Sequence, residues 1–184
     1  MSQMCREVLD YARPKAPAKI PVDVVQLLHQ MIVLLIPRAR TLHAKLILAD
    51  DPPPSLVLGD SSKLMQIITN LIINAVQAMP KGGVVTLKVE KKRVLPPAVH
   101  GMTEREYICI RVQDVGTGIH AADLPHIFET FFTTKKEGEG TGLGLAVSYR
   151  IAREHEGWIG VETKEGQGST FTLYLPPIHL AGER

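Results

Sequence analysis

The chain has 184 residues, of which 45% are hydrophobic and 22% charged, and its formal net charge is +2. This composition is typical of one globular domain that buries a full core, and so small a net charge disfavours nucleic-acid binding. The longest apolar run, residues 31–36, is far shorter than the ~20 residues that a membrane-spanning helix needs, and no signal peptide is visible. Cys5 and Cys109 follow no metal-ligand spacing and are predicted to be reduced thiols.

The N-terminal part is predicted to hold a helix end, a linker and a second helix. Residues 1–14 have the pattern of the last turns of a helix, and prolines make residues 15–21 a linker. The second helix is expected to begin at Asp23 as N-cap and to be kinked or ended by Pro37. A strand is predicted next, at residues 45–49.

A long amphipathic helix gives the clearest periodic signal. Asp60 or Ser61 is expected to cap it, and Pro80 with the two glycines that follow is expected to end it. Its apolar residues recur at helical spacing: Leu64, Ile67, Ile68, Leu71, Ile72, Ala75, Val76 and Met79.

The remaining elements do not alternate as βαβ units, so the predicted fold class is α+β. They are a strand at 84–90, a loop at 94–103, a strand at 107–114, a helix at 142–155, and a hairpin of strands at 158–163 and 169–175.

Asn70 and Asn74 lie four residues apart on the long helix and therefore share a face. With Gln66 and Gln77 they form a polar stripe on an otherwise apolar helix. A solvated face is the simpler explanation, but such faces usually favour Glu, Lys and Arg. Because amide oxygens can ligate a Mg²⁺ that bridges to substrate phosphates, we interpret the stripe as a candidate functional site.

Asp114 is the second candidate. Ile108, Ile110 and Val112 alternate onto one face of the predicted strand, and Asp114 continues that face toward the core. An unpaired buried carboxylate is costly, so Asp114 should accept hydrogen bonds. It could cap nearby backbone N–H groups, or it could accept from the exocyclic amine of a purine, which adenine and guanine both carry.

Two glycine clusters flank a segment rich in aromatic residues, Thr and Lys. Dense glycines allow backbone N–H groups to approach a ligand closely, and Lys135 and Lys136 favour an anion such as a polyphosphate. No Gly-Lys-Ser/Thr follows, so this is not a Walker A loop. A flexible loop would also explain the glycines, but Gly142 and Gly144 are expected to open a helix whose N-terminus favours phosphate. The clusters comprise Asp114, Gly116 and Gly118, and then Gly138, Gly140, Gly142 and Gly144.

In this order, the motifs resemble the ATP-binding domain shared by histidine kinases, Hsp90-type chaperones, type II topoisomerase (gyrase) ATPase subunits and MutL-type mismatch-repair ATPases. The sensor histidine kinase branch is the most similar, because residues 128–135 (FETFFTTK) resemble its F box and residues 166–171 (GQGSTF) its last glycine box. The resemblance covers about residues 22–177, which predicts the ATP-binding catalytic domain there and a tail at 178–184.

The resemblance implies a two-layer α/β sandwich, in which a mixed, mostly antiparallel sheet packs on helices, with a mobile ATP lid between the glycine clusters. It implies ATP and Mg²⁺ as cofactors, with Asn74 as the metal ligand, Asp114 on the adenine amine, Lys135 on a phosphate and Thr170 near the adenine. Phe128, Phe131 and Phe132 are interpreted as packing anchors of the lid. The implied ATP-binding residues are Asn70, Asn74, Gln77, Asp114, Gly116, Gly118, Ile119, Thr133, Lys135, Gly140, Thr141, Gly142, Leu143, Gly144, Leu145 and Thr170.

The sequence departs from the family pattern at Val115, Thr130 and Glu156, none of them a predicted phosphate or base contact. The larger departure is the phosphoacceptor histidine, which the family follows with an acidic residue and then Pro. Only His155 has an acidic neighbour, and it is followed by a predicted strand. Residues 7–14 (EVLDYARP) resemble the end of the helix that follows the phosphoacceptor. The sequence therefore predicts a cytoplasmic catalytic domain of a longer kinase, whose membrane anchor, if present, lies elsewhere.

The predicted function is transfer of the ATP γ-phosphate to a histidine on a separate helical hairpin of the same kinase, with a response regulator downstream. No catalytic side chain is assigned within the chain, and no nucleic-acid or membrane contact is expected. The alternatives are a chaperone- or topoisomerase-like ATPase, a binding module without transfer activity, and a serine-kinase or anti-sigma-factor relative. The ATPases carry Glu at the position of Asn70, and an amide cannot act as that general base.

Overall fold

The computed structural model describes residues 19–49, 52, 54–101, 103–135 and 140–178. The predicted N-terminal helix end, Cys5, Lys136, Gly138 and most of the tail lie outside these residues. Within them, no helix is both long and apolar enough to cross a membrane.

The described residues form seven strands and three α-helices. In chain order these are β1 (Ile20–Asp23), α1 (Val24–Thr41), β2 (Ala44–Leu48), β3 (Leu56–Gly59), α2 (Ser61–Gln77), β4 (Gly83–Val94), β5 (Arg105–Gln113), α3 (Gly144–Glu154), β6 (Trp158–Lys164) and β7 (Gly168–Leu175). Short 3₁₀ helices occur at Ala98–His100 and Leu124–His126.

Five strands form one mixed sheet in the order β2-β4-β5-β7-β6, where only the β2–β4 pair is parallel. Strands β1 and β3 form a separate antiparallel pair. The three helices pack on one another and against the large sheet, with α2 between α1 and α3. The predicted two-layer sandwich with a mostly antiparallel sheet is confirmed.

Helix α2 forms the centre of the helical layer. Its N-cap is Asp60, whose Oδ1 accepts from the backbone N–H of Ser62 at 2.9 Å and of Lys63 at 3.3 Å. All eight apolar residues predicted for its core face are buried: Leu64, Ile67, Ile68, Leu71, Ile72, Ala75, Val76 and Met79. Each fully buried Leu or Ile contributes about 1.5–3 kcal/mol, so this face fixes the position of the helix and of the polar stripe beside it.

Several boundaries differ from the sequence-based expectations. Strand β1 begins inside the segment 15–21 that was predicted as a linker, and β3 was not predicted. Each has four residues, which is too short for a periodic signal, and each pairs with a distant segment. Helix α1 is not ended by Pro37 but continues to Thr41. Pro37 and Val33, whose carbonyl loses its partner, are both exposed, so water can replace the missing hydrogen bond.

Candidate functional site

A cavity of about 700 Å³ opens between α2, the segment that follows β5, and the start of α3. This volume lies within the range of about 300–1,000 Å³ found for small-molecule sites. Most residues of the predicted site line it: Asn70, Asn74, Gln77, Asp114, Gly118, Ile119, Thr133, Lys135, Gly140, Thr141, Gly142, Gly144 and Leu145.

Three predicted site residues do not line the cavity. Thr170 pairs with Gln113 on the adjacent strand, and its neighbours Ser169 and Phe171 line the cavity instead. Successive strand residues face opposite sides of a sheet, so the side of β7 that faces the cavity is that of Ser169 and Phe171. Leu143 is buried just before α3, and Gly116 contributes its backbone to Asp114 rather than a surface to the cavity.

Sequence reasoning missed part of the lining. Ile73 and Ala78 belong to the cavity side of α2, and they could have been found by extending the face of Asn70 and Asn74. Arg38 comes from α1, which carries no local signal of closeness to α2. The missed residues are Arg38, Ile73, Ala78, Thr117, His120, Asp123, Ile127, Phe132, Thr134, Glu165, Ser169 and Phe171.

Asp114 lies at one end of the cavity and is only 3% exposed. Its Oδ1 accepts from the backbone N–H of Gly116 at 2.8 Å and of Ser169 at 3.2 Å. Its Oδ2 makes no hydrogen bond to the described residues, so an acceptor remains for a ligand. Burial raises the pKa of this carboxyl above its usual value, while the two backbone hydrogen bonds oppose the rise. The expected hydrogen bonding of Asp114 is therefore confirmed, in the form of backbone capping.

The glycines around Asp114 are required by close backbone approach. A Cβ on Gly116 would overlap the Ala78 carbonyl, and a Cβ on Gly118, which has φ +68°, would overlap the Lys164 carbonyl. Gly118 thereby packs directly against the backbone of the β6–β7 turn. The spacing of Asp114, Gly116 and Gly118 is thus explained by packing that keeps this end of the cavity open.

Asn70 links α2 to the first turn of α3. Its Nδ2 donates to the Gly144 carbonyl at 3.1 Å and lies 3.2 Å from the Ser148 Oγ. The Ser148 hydroxyl donates to the same carbonyl at 2.8 Å. This contact positions the N-terminus of α3 at the cavity wall, where Gly144 and Leu145 line it.

The N-terminus of α3 has no side-chain cap, and its first turn contains no acidic residue. Its first backbone N–H groups therefore lack intrahelical partners, and the positive end of the helix dipole favours an anion. Helix α3 begins at Gly144 rather than at the predicted Gly142, because Gly142 has φ +66° and cannot take helical geometry.

Lys135 lies on the polar face of α2. Its Nζ donates to the Gln77 Oε1 at 2.6 Å and to the Asn74 Oδ1 at 3.3 Å. The amide oxygen predicted to bind a metal thus already accepts from a cation. No cluster of three or more His, Cys, Asp or Glu residues suited to a metal occurs in the described part of the chain. The donor set that fits a Mg²⁺ here is Asn74 together with ligand phosphates.

The charges around the cavity are separated. The acidic side chains that line it, Asp114, Asp123 and Glu165, lie around the loop after β5 and the β6–β7 turn. On the helical side the cavity is lined by three amides of α2 and by Arg38 of α1, and Lys135 lies on two of those amides. One end therefore suits a neutral group with a donor, and the other suits an anion.

Comparison with known proteins gives the family. The model of the histidine kinase-, DNA gyrase B- and HSP90-like ATPases matches residues 59–179. The chain is 35% identical over 185 residues to the sensor kinase CckA of Brucella abortus, and 35% identical over 177 residues to the sensor histidine kinase ZraS of Escherichia coli. These alignments cover 96% of the chain but only 19% of CckA and 35% of ZraS.

Among solved structures, full-length ShkA in complex with AMPPNP superposes with a TM-score of 0.77 at 29% identity, over 96% of this chain and 36% of ShkA. The chain belongs to the family of histidine kinase-, DNA gyrase B- and HSP90-like ATPases. Within that family, it is similar to the ATP-binding catalytic domains of sensor histidine kinases.

Proposed function

We propose that this domain binds ATP with Mg²⁺ and transfers the γ-phosphate to a histidine on a separate phosphoacceptor hairpin. The observation that carries the proposal is the polarity of the cavity. A buried carboxylate with one unoccupied acceptor lies at one end, and amides, basic side chains and a helix N-terminus lie at the other.

At the carboxylate end, Asp114 accepts from the exocyclic amine of adenine. Its Oδ1 already receives two backbone N–H groups, which fixes the carboxylate and leaves Oδ2 for the base. Gly118, Ile119, Ser169 and Phe171 border this position. A donor on the ligand satisfies an oxygen that would otherwise be desolvated on binding without a partner.

At the opposite end, the N–H groups of Gly144 and Leu145, together with Lys135, bind the triphosphate. Asn70 positions these N–H groups through its hydrogen bond to the Gly144 carbonyl. Asn74 supplies an amide oxygen to Mg²⁺, which when bound neutralises phosphate charge and orients the γ-phosphate. Gln77 borders the same region and holds Lys135.

The same geometry favours phosphate transfer over hydrolysis. A general base would have to lie beside the terminal phosphate, but Asn70 is an amide whose Nδ2 is engaged with Gly144 and Ser148. Among the described residues, the acidic side chains that line the cavity are Asp114, Asp123 and Glu165, which come from the end of β5, the segment after it and the β6–β7 turn rather than from α2 or α3. The nucleophile therefore comes from outside this domain.

The proposed partners are the phosphoacceptor hairpin of the same kinase and a downstream response regulator, and the proposed location is the cytoplasm. The named relatives are sensor kinases, and ShkA was solved with an ATP analogue. The chain spans 19–35% of the length of the first curated relatives it matches.

The test supplies this chain with γ-labelled ATP, Mg²⁺ and separate phosphoacceptor hairpins from its sensor-kinase relatives. We expect acid-labile label on a hairpin, none on the same hairpin with its histidine changed to Ala, and none on the chain alone. Acid-stable label would favour the serine-kinase alternative. Release of phosphate without labelled hairpin would favour the ATPase alternative, and failure to bind ATP would overturn the proposal altogether.

A further inference from the structure

Arg38 brings helix α1 to the wall of the cavity. It also lines a narrow cleft between α1 and α2 together with Ile73, and Ile73 is itself part of the cavity wall. On α2, Ile73 lies three residues from Asn70 and four from Gln77, so the three side chains are neighbours on the helix surface. Arg38 therefore lies where the cleft between the two helices opens into the cavity.

The charge of Arg38 is not neutralised by its surroundings. Helix α1 contains no acidic residue. Among the described residues, the side chain of Arg38 makes no hydrogen bond and no ion pair, whereas that of Arg111 is paired with Glu90. Because the residue is exposed, its charge is solvated in the nucleotide-free protein. An exposed cation of this kind at the edge of a cavity attracts an anion.

A role in the helix itself would also explain a cation at this position, because the C-terminal end of a helix carries partial negative charge. Arg40 provides the comparison, since it lies in the same last turn of α1. Unlike Arg38, Arg40 lines neither the cavity nor the cleft. Both arginines can therefore stabilise the end of the helix, but only Arg38 is placed to meet a ligand.

We infer that the guanidinium of Arg38 binds the terminal phosphate of ATP and so enables the site to distinguish a triphosphate from a diphosphate. This inference rests on the proposed function, in which the phosphates lie on the helical side of the cavity. The backbone N–H groups of Gly144 and Leu145 approach that side from α3, whereas Arg38 approaches it from α1, and α2 lies between these helices. Arg38 thus contacts the triphosphate from the side opposite to α3.

The terminal phosphate is the group that suits an exposed cation best. It must be presented to a nucleophile from outside this domain, so it has to lie near the surface of the protein. A guanidinium donates two parallel hydrogen bonds to a phosphate, which orients that phosphate as well as neutralising part of its charge. ADP lacks this group, so Arg38 contributes less to the binding of ADP.

The experiment compares AMPPNP, which carries a terminal phosphate group, with ADP. Both nucleotides are titrated calorimetrically with excess Mg²⁺, and the ratio of the AMPPNP affinity to the ADP affinity is taken for each variant. Arg38→Gln removes the charge and keeps a good helix former. We expect this ratio to fall roughly three- to tenfold, the size of losing one exposed, hydrogen-bonded ion pair. A general disturbance of the fold would weaken both nucleotides alike and leave the ratio unchanged.

Arg40→Gln is the matched control, because it removes the same charge from the same turn of α1 but outside the cavity lining. Its ratio should equal that of the wild type. An unchanged or higher ratio in Arg38→Gln would overturn the inference, and so would an equal fall in Arg40→Gln, which would show a general effect of charge. Wild-type protein that binds neither nucleotide would instead contradict the proposed function, so the two failures are distinguishable.

Discussion

The two carboxylate oxygens of Asp114 have different surroundings. Oδ1 is fixed by the backbone N–H groups of Gly116 and Ser169, whereas Oδ2 bonds to none of the described residues. The side chain thus combines a structural contact that closes the β5–β7 end of the sheet with an acceptor at the cavity. The two alternatives raised by the sequence, backbone capping and ligand recognition, are compatible in one residue.

Asp114→Asn is expected to weaken ATP binding by about 1–3 kcal/mol, the range for a buried polar group without a partner. The change keeps the shape of the side chain but places an amide donor opposite the adenine amine. Titration calorimetry with the folded variant measures the loss. Asp123→Asn is a matched control, because Asp123 also lines the cavity but is proposed to contact no base. Equal affinity in Asp114→Asn and wild type would remove Asp114 from the adenine site.

The raised pKa of Asp114 predicts a pH dependence of stability in the nucleotide-free protein. The folded state holds the proton more tightly than the unfolded state, because burial disfavours the carboxylate. The contribution of Asp114 to the free energy of unfolding therefore decreases as pH rises from the ordinary Asp value through the raised pKa. Denaturant unfolding across this acidic range should show wild type losing stability relative to Asp114→Asn with rising pH. If the free energy of unfolding of wild type and of Asp114→Asn changed with pH in parallel, the Asp114 carboxyl would titrate alike in the folded and the unfolded state.

Asn74→Ala should abolish the Mg²⁺-dependent part of nucleotide affinity and spare adenine recognition. The substitution removes the amide oxygen proposed as metal ligand, and Ala is the better helix former, so α2 stays intact. ATP titrations with Mg²⁺ and with a chelator separate the two contributions. A similar loss under both conditions would mean that Asn74 acts through structure alone.

The start of α3 depends on a tight crossing of two chain segments. The Phe131 N–H donates to the Gly142 carbonyl at 2.9 Å, and both residues have positive φ, +70° and +66°. A Cβ on Gly142 would overlap the Phe131 backbone. The proposed phosphate-binding end of α3 and the stretch that contains Lys135 are therefore linked by this backbone contact.

Gly142→Ala should lower the free energy of unfolding and weaken ATP binding several-fold, because the added Cβ forces this crossing apart. Gly166→Ala is the matched control: its φ is +75°, but nothing lies within 4 Å of the added Cβ. The free energy of unfolding of the control should fall by about 1–2 kcal/mol, because Ala must adopt the left-handed conformation there. The free energy of unfolding of Gly142→Ala should fall by clearly more. Comparable losses for the two variants in denaturant unfolding would show that the crossing tolerates the methyl group.

Helix α2 links the hydrophobic core to the cavity, because it contributes side chains to both. Its buried face packs on the sheet, its polar face provides Asn70, Asn74 and Gln77, and its N-cap Asp60 is tied to the end of α3. The Asp60 N–H donates to His155 Nε2 at 3.0 Å, and His155 Nδ1 lies 2.8 Å from the Ile151 carbonyl oxygen. The proposed ligand contacts at α2 and α3 are therefore made by helices that both contribute to the hydrophobic core.

Mg²⁺–ATP should consequently stabilise the whole domain against unfolding. Ligand at a hundred times its dissociation constant adds about 2.7 kcal/mol when only the folded state binds it. The midpoint of thermal unfolding, measured at increasing Mg²⁺–ATP concentration, reports this stabilisation. The Asp114→Asn variant should need higher nucleotide concentrations for the same rise in the midpoint. A midpoint that does not depend on nucleotide would contradict binding by these two helices.

The sequence by itself determined those features that depend on local periodicity. Helical spacing identified the buried face of α2 and placed Asn70 and Asn74 on one side of it, and strand alternation directed Asp114 inward. Glycine density predicted close approach of the backbone to a ligand, and around Gly118 and Gly142 the structure shows close approach to other backbone segments. These patterns can be read locally because a helix or strand fixes which neighbours share a face.

Only the tertiary structure decided which distant segments meet. The β1–β3 pair and the place of Arg38 in the cavity depend on packing between segments far apart in sequence. The β5–β7 register turns Ser169 rather than Thr170 to the cavity, since a shift of one residue reverses every side chain on a strand. The position of Lys135 on Asn74 and Gln77 likewise depends on the closeness of two segments about sixty residues apart, and no local pattern encodes that distance.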